Sequence, residues 1–249
     1  TDFLFPLLIP RLKNTKANFS DSTVKLLYLP NENNQLTYTH FYSKDFYQLD
    51  LISSIENIVS SSNQYDFGTS NHTLRWLHGF ENNTNLVGTL VHSSYLPKNL
   101  FPEIDSSNVI QFESQIQYTS AQFEYKDNSK DEFDYYAGVQ FNQYNINPGS
   151  LDPGSGNSII PVDLSNEKSQ EFSFFTNFNW NLSKRLSISS GIRLTHFSLL
   201  GPYDQGLYDE DGFFEGTNTI ASNESIATYT NPEPRLGLNY KLGEYSSLK

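Results

Sequence analysis

The sequence contains no cysteine among its 249 residues. This excludes a disulfide framework and thiolate chemistry, and any zinc site would have to rely on histidine and carboxylate ligands. Five histidines are present at positions 40, 72, 78, 92 and 196, and none of them shows the paired spacing of zinc-binding motifs. We therefore expect no metal ligands among them and no bound cofactor.

Basic residues are scarce, with 16 Lys and Arg against 28 Asp and Glu, which gives a formal net charge of −12. The basic residues that are present are not clustered. Because neutralisation of nucleic-acid phosphates requires clustered Lys and Arg, this balance argues against a nucleic-acid partner.

Long apolar runs and catalytic motifs are also absent. No run of about 18 apolar residues occurs, so the sequence predicts no transmembrane helix. It contains no G-x-S-x-G motif, no phosphate-binding loop and no dinucleotide fingerprint, and the Gly-rich "PGSGNS" at 153–158 lies in a predicted loop. We expect no enzymatic activity.

What the sequence does contain is a series of long segments in which apolar and polar residues alternate. In "IQFESQIQYTSAQFEY", Ile110, Phe112 and Ile116 alternate with Gln111, Glu113, Gln115 and Gln117. Segments 133–144, 171–181 and 185–198 show the same period of two. This period is typical of β-strands with two unlike faces.

Nine such strands are predicted, at about 20–30, 35–44, 71–80, 84–95, 108–125, 133–144, 171–181, 185–198 and 233–242. Residues 246–249 would begin a tenth strand, and "DFLFPLLIPRL" at 2–12 would end an earlier one. Strands in globular proteins typically have about 5 or 6 residues, whereas a tilted membrane-spanning strand needs about 9 to 11. The length of these strands favours the membrane.

The connections between the strands alternate in length. Short turns are predicted at 31–34, 81–83, 126–132, 182–184 and 243–245, and long loops at 45–70, 145–170 and 199–232. In an antiparallel meander this order places the short turns on one rim and the long loops on the other, as in outer-membrane barrels. Within the first long loop, Ile52, Ile55 and Val59 fit one face of a short helix at 50–62.

These features predict an all-β fold, a partial antiparallel transmembrane β-barrel. On this interpretation Ile110, Phe112 and Ile116 face lipid, and Gln111, Glu113, Gln115 and Gln117 face the lumen. Since an odd, unfinished set of strands cannot close a bacterial barrel, we expect residues 1–249 to be part of one barrel domain in a larger protein. A soluble β-sandwich or β-solenoid is the structural alternative.

The segments "SKRLSISSGIRLTHFSLLGPYDQGLYDEDG" and "NPEPRLGLNYKLGEYSSLK" resemble the middle of the barrel of TonB-dependent outer-membrane receptors, especially those of Bacteroidetes-type bacteria. "KSQEFSFFTNFNWNLS" is similar to the family strand before the first of them. The likeness is clearest over 108–249, and the family's plug domain has no counterpart in this sequence.

The resemblance implies a barrel of about 22 strands, of which this chain would supply about nine to eleven, with a plug domain inside. It implies uptake of a scarce nutrient such as an iron chelate, cobalamin or a glycan across the Gram-negative outer membrane. The implied partners are outer-membrane lipid, the TonB complex acting through the plug, the small nutrient ligand and a surface lipoprotein. A passive porin-like or structural barrel, and a soluble carbohydrate-binding β protein, remain alternative functions.

The segment "YDQGLYDEDGFFEG" at 203–216 combines clustered carboxylates with aromatic residues in a predicted long loop. Three interpretations stay open for it: a ligand-contacting rim, a calcium site formed around "DEDG", and a solvated acidic loop. On the first interpretation, the candidate ligand-binding residues are Tyr203, Asp204, Tyr208, Asp209, Asp211, Phe213 and Glu215.

Overall fold

The structure, a computed structural model, describes residues 15–49, 53–55, 58–104, 107–156, 159–243 and 245–248. No helix in these ranges has the length and apolar character needed to cross a membrane. Nine long strands are present: β1 (Lys16–Asn31), β2 (Asn34–Leu49), β5 (Asn63–Gly79), β6 (Thr84–Pro102), β7 (Val109–Lys130), β8 (Phe133–Asp152), β10 (Glu167–Asn181), β11 (Leu186–Leu200) and β14 (Ser225–Lys241). They confirm the nine predicted strands, and each is longer than predicted.

Six short strands complete the described structure: β3 (Ser53–Ile55), β4 (Ile58–Ser60), β9 (Val162–Asp163), β12 (Tyr203–Tyr208), β13 (Phe214–Ile220) and β15 (Ser247–Leu248). The predicted helix at 50–62 is wrong, because β3 and β4 pair there as a small antiparallel hairpin. Its β-branched residues Ile55, Ile58 and Val59 favour extended backbone. The segment 2–12, predicted to end an earlier strand, lies outside the described residues.

Eleven strands form one antiparallel sheet in the order β1-β2-β5-β6-β7-β8-β10-β11-β14-β15, with β9 paired to β8. Each long strand is hydrogen-bonded to the next long strand along the chain, which makes a meander without crossovers. The pairing of β15 with β14 confirms the predicted start of a tenth strand in the wall.

The connections lie on two unlike rims. One rim carries the tight connections 32–33, 80–83, 131–132, 182–185 and 242–246, and the other carries 50–62, 103–108, 153–166 and 201–224. We call them the turn rim and the loop rim. The predicted asymmetry is confirmed, although the long connections are shorter than predicted because the strands extend into them.

Apolar side chains of this sheet are mostly exposed, which is the reverse of a soluble sandwich. On β10, Phe172, Phe174 and Trp180 are 52%, 45% and 45% exposed, and only four hydrophobic residues of the described chain are buried. A soluble sandwich would bury these rings against a second sheet, and the described strands of the wall lie in a single sheet.

Exposed and half-buried apolar residues form a band on one face of the sheet. In β10 they are Phe172, Phe174, Phe178 and Trp180, which lie opposite residues of β8 and β11 in unbroken register. We call this band the apolar belt, and we call the side of the sheet that carries it the belt face. The residues of the belt are Leu36, Tyr38, Leu74, Trp76, Leu90, Phe123, Val139, Phe141, Phe172, Phe174, Phe178, Trp180, Ile192, Leu194, Leu236 and Leu238. On β10 it covers nine residues from Phe172 to Trp180, which matches the length of a tilted membrane-spanning strand.

The period of two predicted for segments 133–144, 171–181 and 185–198 is confirmed, but the faces predicted for Ile110–Gln117 are wrong. The hydroxyls of Tyr118 and Ser120 donate to Asn142 Oδ1 at 3.0 and 2.8 Å, so both lie on the polar face opposite the belt. Since β7 pairs with β6 without a register shift, Ile110, Phe112 and Ile116 also lie on the polar face. Gln111, Glu113, Gln115 and Gln117 lie on the belt face, beyond the belt.

Strand length explains this error. β7 has 22 residues and extends about 70 Å, more than twice what a membrane crossing requires. Only its part near the turn rim, with Phe123 and Tyr125 on the belt face, carries the apolar belt. Nearer the loop rim the belt face becomes polar, and Ile110, only 1% exposed, lies opposite Phe101 on the other face.

The face assignment predicts unequal costs for two arginine substitutions in β10. Phe174→Arg, on the belt face, should lower the free energy of unfolding in lipid by about 2–4 kcal/mol, because a charge there meets hydrocarbon. Asn179→Arg, on the polar face opposite Asp134, should cost much less. Urea titrations of the full-length protein in lipid vesicles would measure both, and equal losses would contradict the assignment.

Candidate functional site

The candidate ligand-binding residues lie on a β-hairpin that projects from the loop rim between β11 and β14. Strands β12 and β13 pair from Tyr203 opposite Ile220 to Tyr208 opposite Phe214, with a register shift after Leu207. The connection predicted as a long loop at 199–232 is therefore largely ordered as a hairpin. Alternating Thr and Asn at 217–219 with Ile220 are compatible with such a strand.

The tip of the hairpin is held by one of the predicted carboxylates. Asp209 Oδ1 accepts hydrogen bonds from the backbone N–H groups of Asp211 at 3.0 Å and Phe213 at 2.7 Å. Gly212 completes the turn with φ of 86°, a conformation that favours glycine. Asp209 therefore has a structural role in the turn, which the sequence did not reveal.

A second predicted carboxylate is engaged within the hairpin. Asp204 Oδ1 accepts a hydrogen bond from the hydroxyl of Thr219 at 2.7 Å. Asp204 and Tyr203 lie at the base of the hairpin, about five residues of extended chain from the tip, or roughly 16 Å. The structure thus brings together Tyr208, Asp209, Asp211, Phe213 and Glu215, and leaves Tyr203 and Asp204 apart from them.

Aromatic side chains dominate the tip. Tyr208, Phe213 and Phe214 are 64%, 71% and 62% exposed, and the rings of Tyr208 and Phe214 meet edge to face at 5.9 Å. Carboxylates flank the rings, and residues 203–220 contain no Lys or Arg. The tip can offer ring faces for stacking and carboxylate oxygens as hydrogen-bond acceptors.

The calcium interpretation receives no support from the geometry. Among the residues that the structure describes, no three His, Asp or Glu side chains are grouped so that they could hold a metal ion. Calcium needs six to eight oxygen ligands, and Asp209 already accepts two backbone hydrogen bonds.

The rest of the loop rim is tied down by buried polar side chains. Asn108, 6% exposed, donates from Nδ2 to the carbonyl of Pro153 at 2.9 Å and accepts from the N–H of Ser155 at 2.7 Å. Ser60 is fully buried, with its hydroxyl 2.6 Å from the carbonyl of Ser62 and 3.0 Å from that of Pro102, and the N–H of Ser61 donates to the same Pro102 carbonyl at 3.0 Å. These bonds join neighbouring connections of the rim into one surface.

A second candidate site, which sequence reasoning missed, lies on the polar face of the wall. Arg193 Nη2 donates to Gln140 Oε1 at 2.8 Å and to Ser173 Oγ at 2.9 Å, and lies 3.4 Å from Glu171 Oε1. Its guanidinium also lies 5.6 Å from the centre of the Phe175 ring. The cluster is half-buried and joins three strands.

A shallow cavity of about 220 Å³ opens beside this cluster. Gln122, Tyr136, Asn177 and Arg235 contribute to its lining together with Arg193. These residues are far apart in the sequence and meet only through the register of β7, β8, β10, β11 and β14. Alternation in the sequence could place each of them on the polar face, but it could not predict the cluster.

Comparison with known proteins places the wall in a family. The family model for the TonB dependent receptor-like β-barrel matches residues 12–249. No curated protein sequence matches the chain.

Several solved structures are similar to it. They include the copper transporter OprC, at 12% identity over 92% of this chain and 35% of OprC, with a TM-score of 0.66. FpvA of P. aeruginosa bound to heterologous pyoverdines shares 12% identity over 92% of this chain and 34% of FpvA, with a TM-score of 0.62. The ferric citrate transporter FecA shares 12% identity over 92% and 34%, with a TM-score of 0.59.

At these identities the structural likeness shows the fold alone. The chain spans about a third of the length of each of these three structures. The predicted fold class, part of an antiparallel transmembrane barrel, is confirmed.

The tip geometry predicts different effects for two neighbouring carboxylates. Asp209→Ala removes the acceptor of two backbone hydrogen bonds and should destabilise the turn by about 1 kcal/mol or more, whereas Asp211→Ala should leave it intact. Hydrogen exchange of peptides covering 209–215 in the full-length protein would measure the difference. Equal exchange in both variants would rule out the proposed capping role.

The Arg193 cluster predicts a stability difference between two arginines of the polar face. Arg193→Met should cost about 1.5–3 kcal/mol, because Glu171 and Gln140 lose a charged hydrogen-bond donor. Arg235, which is exposed and 3.5 Å from Glu233, should tolerate the same change with a loss below about 0.5 kcal/mol. Unfolding in lipid vesicles measures both, and a tolerant Arg193 would refute the cluster's structural role.

Proposed function

Because the chain belongs to the TonB-dependent receptor family through its β-barrel, with residues 12–249 matching the family model, we propose that it forms part of a receptor that imports a scarce nutrient by TonB-coupled active transport. Barrels of this family are outer-membrane proteins of Gram-negative bacteria, and we propose the same location for this chain. Residues 1–249 would be a middle portion of one barrel domain of a Bacteroidetes-type receptor, with the plug domain elsewhere in the protein.

The observation that carries this proposal is a continuous wall with an apolar belt on one face and polar side chains on the other. The belt is compatible with contact to lipid hydrocarbon. Arg193, Glu171 and their partners are compatible with an aqueous or plug-filled lumen. A passive porin-like barrel would have the same two faces, and the family match favours the receptor. The proposed transport involves no covalent step in the wall, so it consists of ligand binding and gating.

We assign ligand contact to the hairpin tip, with Tyr208, Phe213 and Phe214 as the central residues. Binding residues tend to lie on loops that a rigid scaffold positions, and the hairpin projects from the loop rim of such a scaffold. The tip adds exposed rings to the predicted residues Asp211 and Glu215, whereas Asp209 acts by holding the turn.

The negative charge of the hairpin indicates which class of ligand it can bind. Residues 203–220 carry five carboxylates and no basic residue, which disfavours a strongly anionic ligand through like-charge repulsion. Similar structures include transporters named for copper and for ferric citrate. For this chain the tip suits a neutral or cationic ligand, such as a glycan or cobalamin, better than an anionic iron chelate.

The remaining partners follow from the same proposal. The TonB complex would act through the plug, and a surface lipoprotein would approach from the loop rim, where the hairpin projects. On this proposal neither the plug nor the lipoprotein would contact the belt, which would face lipid.

Replacing the tip rings tests the ligand site without disturbing the turn. The triple variant Tyr208→Ser, Phe213→Ser, Phe214→Ser keeps Asp209 and should weaken nutrient binding about tenfold or more, since each ring contact contributes about 0.5–1.5 kcal/mol. Uptake of a labelled oligosaccharide, cobalamin and a ferric chelate by cells carrying the full-length receptor would measure it. Tyr245→Ser, at a side chain 97% exposed on the turn rim, is the matched control.

Barrel assembly should be unchanged in both variants, as judged by resistance to detergent unfolding. If the tip variant assembles and takes up every probe at the wild-type rate, the hairpin is not the ligand site. Uptake of none of the probes by the wild type would leave receptor function without support.

A further inference from the structure

The hairpin on the loop rim is a two-stranded ribbon whose outer edges are open. Among the residues that the structure describes, β12 and β13 pair only with each other and form a sheet separate from the wall. Most of their residues are exposed. A strand with a partner on one side leaves the backbone N–H and C=O groups of alternate residues unpaired on its other side. Each strand of the ribbon therefore has one edge to which a further strand could be added.

The two edges differ in regularity. Glu215 of β13 has no partner on β12, because the register shifts by one residue there, and it forms a bulge. β12 has six residues, and each of them has a partner on β13. Bulges, prolines and lysines are common means of protecting an open edge, and β12 contains none of them. The edge of β12 is thus the one suited to an added strand.

The side chains along β12 indicate which kind of strand fits beside it. Tyr203 and Leu207 share one face of the ribbon and are 50% and 44% exposed, so they offer contacts to apolar side chains. Asp204 and Tyr208 lie on the other face, where the Tyr208 ring is 64% exposed. A carboxylate and an exposed ring face both favour basic side chains. An added strand with apolar and basic residues in alternation would match both faces.

The charge of the hairpin selects for the same partner. Residues 203–220 carry five carboxylates and no Lys or Arg, so the hairpin attracts a cationic strand and repels an anionic one. Among neutral and cationic ligands, a peptide is the class whose own backbone repeats N–H and C=O groups at the spacing of a strand edge. A glycan could stack on the rings but could not form such a ladder.

We propose that the edge of β12 binds an extended, basic oligopeptide as an added strand, and that such a peptide is a nutrient of this receptor. The inference rests on the proposed function, in which the hairpin receives the ligand, and it names one chemical class for that ligand. The peptide backbone forms hydrogen bonds with the open edge. Its alternate side chains contact the two faces of the ribbon, where the carboxylates favour lysine and arginine.

Binding of labelled hexapeptides to the purified full-length protein in detergent tests the charge selection. One probe alternates Lys and Val, the other alternates Glu and Val, and fluorescence anisotropy measures their affinities. The Lys–Val peptide should bind about tenfold more tightly or better, and its advantage should shrink as the ionic strength rises, because salt screens exposed charges. Equal affinities for the two peptides at low ionic strength would overturn the proposal.

Two N-methylated forms of the Lys–Val peptide test the strand addition itself. One form carries methyl groups on the backbone nitrogens of its lysines, and the other carries them on those of its valines. Alternate residues of a strand direct their N–H groups toward opposite edges, so only one of the two sets faces β12. One form should bind about tenfold more weakly or worse, and the other should retain its affinity. Equal affinities of the two forms would overturn the proposal.

Hydrogen exchange of the full-length protein locates the bound peptide. In the free protein, the N–H groups on the open edge of β12 should exchange rapidly, because no strand covers them. The Lys–Val peptide should slow exchange in 203–208 more than in 214–220. Slow exchange throughout 203–208 in the free protein would mean that another strand already covers this edge, and it would overturn the proposal.

The double variant Asp211→Asn, Glu215→Gln removes two carboxylates near β12 and keeps the two that hold the hairpin by hydrogen bonds. It should bind the Lys–Val peptide several-fold more weakly. Asp163→Asn, Glu167→Gln is the matched control, because it removes two exposed carboxylates near the same rim and should bind as the wild type does. Unchanged affinity in the hairpin variant, or an equal loss in the control, would contradict the site.

Uptake of the labelled Lys–Val peptide by cells, measured beside the other nutrient probes, separates this inference from the proposed function. A receptor that binds the peptide along β12 but imports neither it nor any other probe would contradict only the proposed function. A receptor that imports an oligosaccharide but does not distinguish the two N-methylated peptides would contradict only the peptide site.

Discussion

The structure depends on one constraint: the core of a bilayer holds no water that could hydrogen-bond to an exposed backbone N–H or C=O group. A strand can cross the bilayer only if the strands on both sides of it form hydrogen bonds with its backbone N–H and C=O groups. Seven of the nine long strands, β2, β5, β6, β7, β8, β10 and β11, meet this requirement with a long antiparallel neighbour on each side, whereas β1 and β14, toward the ends of the described sheet, pair along their length on one side. The period of two along each strand then presents one face to lipid and the other to the lumen.

The two faces follow different rules of stabilisation. On the belt face, rings such as Phe174 are exposed to solvent in the isolated sheet and gain their stability from contact with hydrocarbon. On the polar face, Arg193 must be satisfied by other side chains, and Gln140, Ser173 and Glu171 supply the acceptors. These bonds connect neighbouring strands of the wall, and we propose that recognition lies at the rim. On the loop rim, the bonds of Asn108 to Pro153 and Ser155 link the connection before β7 to the connection after β8.

How well the sequence predicts this structure depends on where a residue lies relative to the belt. Within the belt, the alternation of apolar and polar residues in β10 predicts both the strand and the face on which each residue lies. It does so because the lipid side favours apolar residues and the lumen side favours polar ones. The same pattern fails at Ile110–Gln117, where water surrounds the outer face and the polar residues turn outward. Local pattern could not place Asp209 in a turn or Arg193 beside Gln140 and Glu171, because those relations depend on turn geometry and on strand register. The hydrophobic spacing at 50–62 predicted a helix, where β-branched residues formed a hairpin.

Spin-label accessibility along β7 and β10 of the full-length protein in lipid vesicles tests the membrane-wall account most directly. Single labels at 172, 174, 176, 178 and 180 should be accessible to oxygen dissolved in lipid, and labels at 173, 175, 177 and 179 to a water-soluble relaxation agent. In β7, labels at 121, 123 and 125 should report lipid, whereas labels at 111, 113 and 115 on the same face should report water. Uniform water accessibility at all of these positions, or lipid exposure on both faces of β10, would contradict a barrel wall with a single apolar belt.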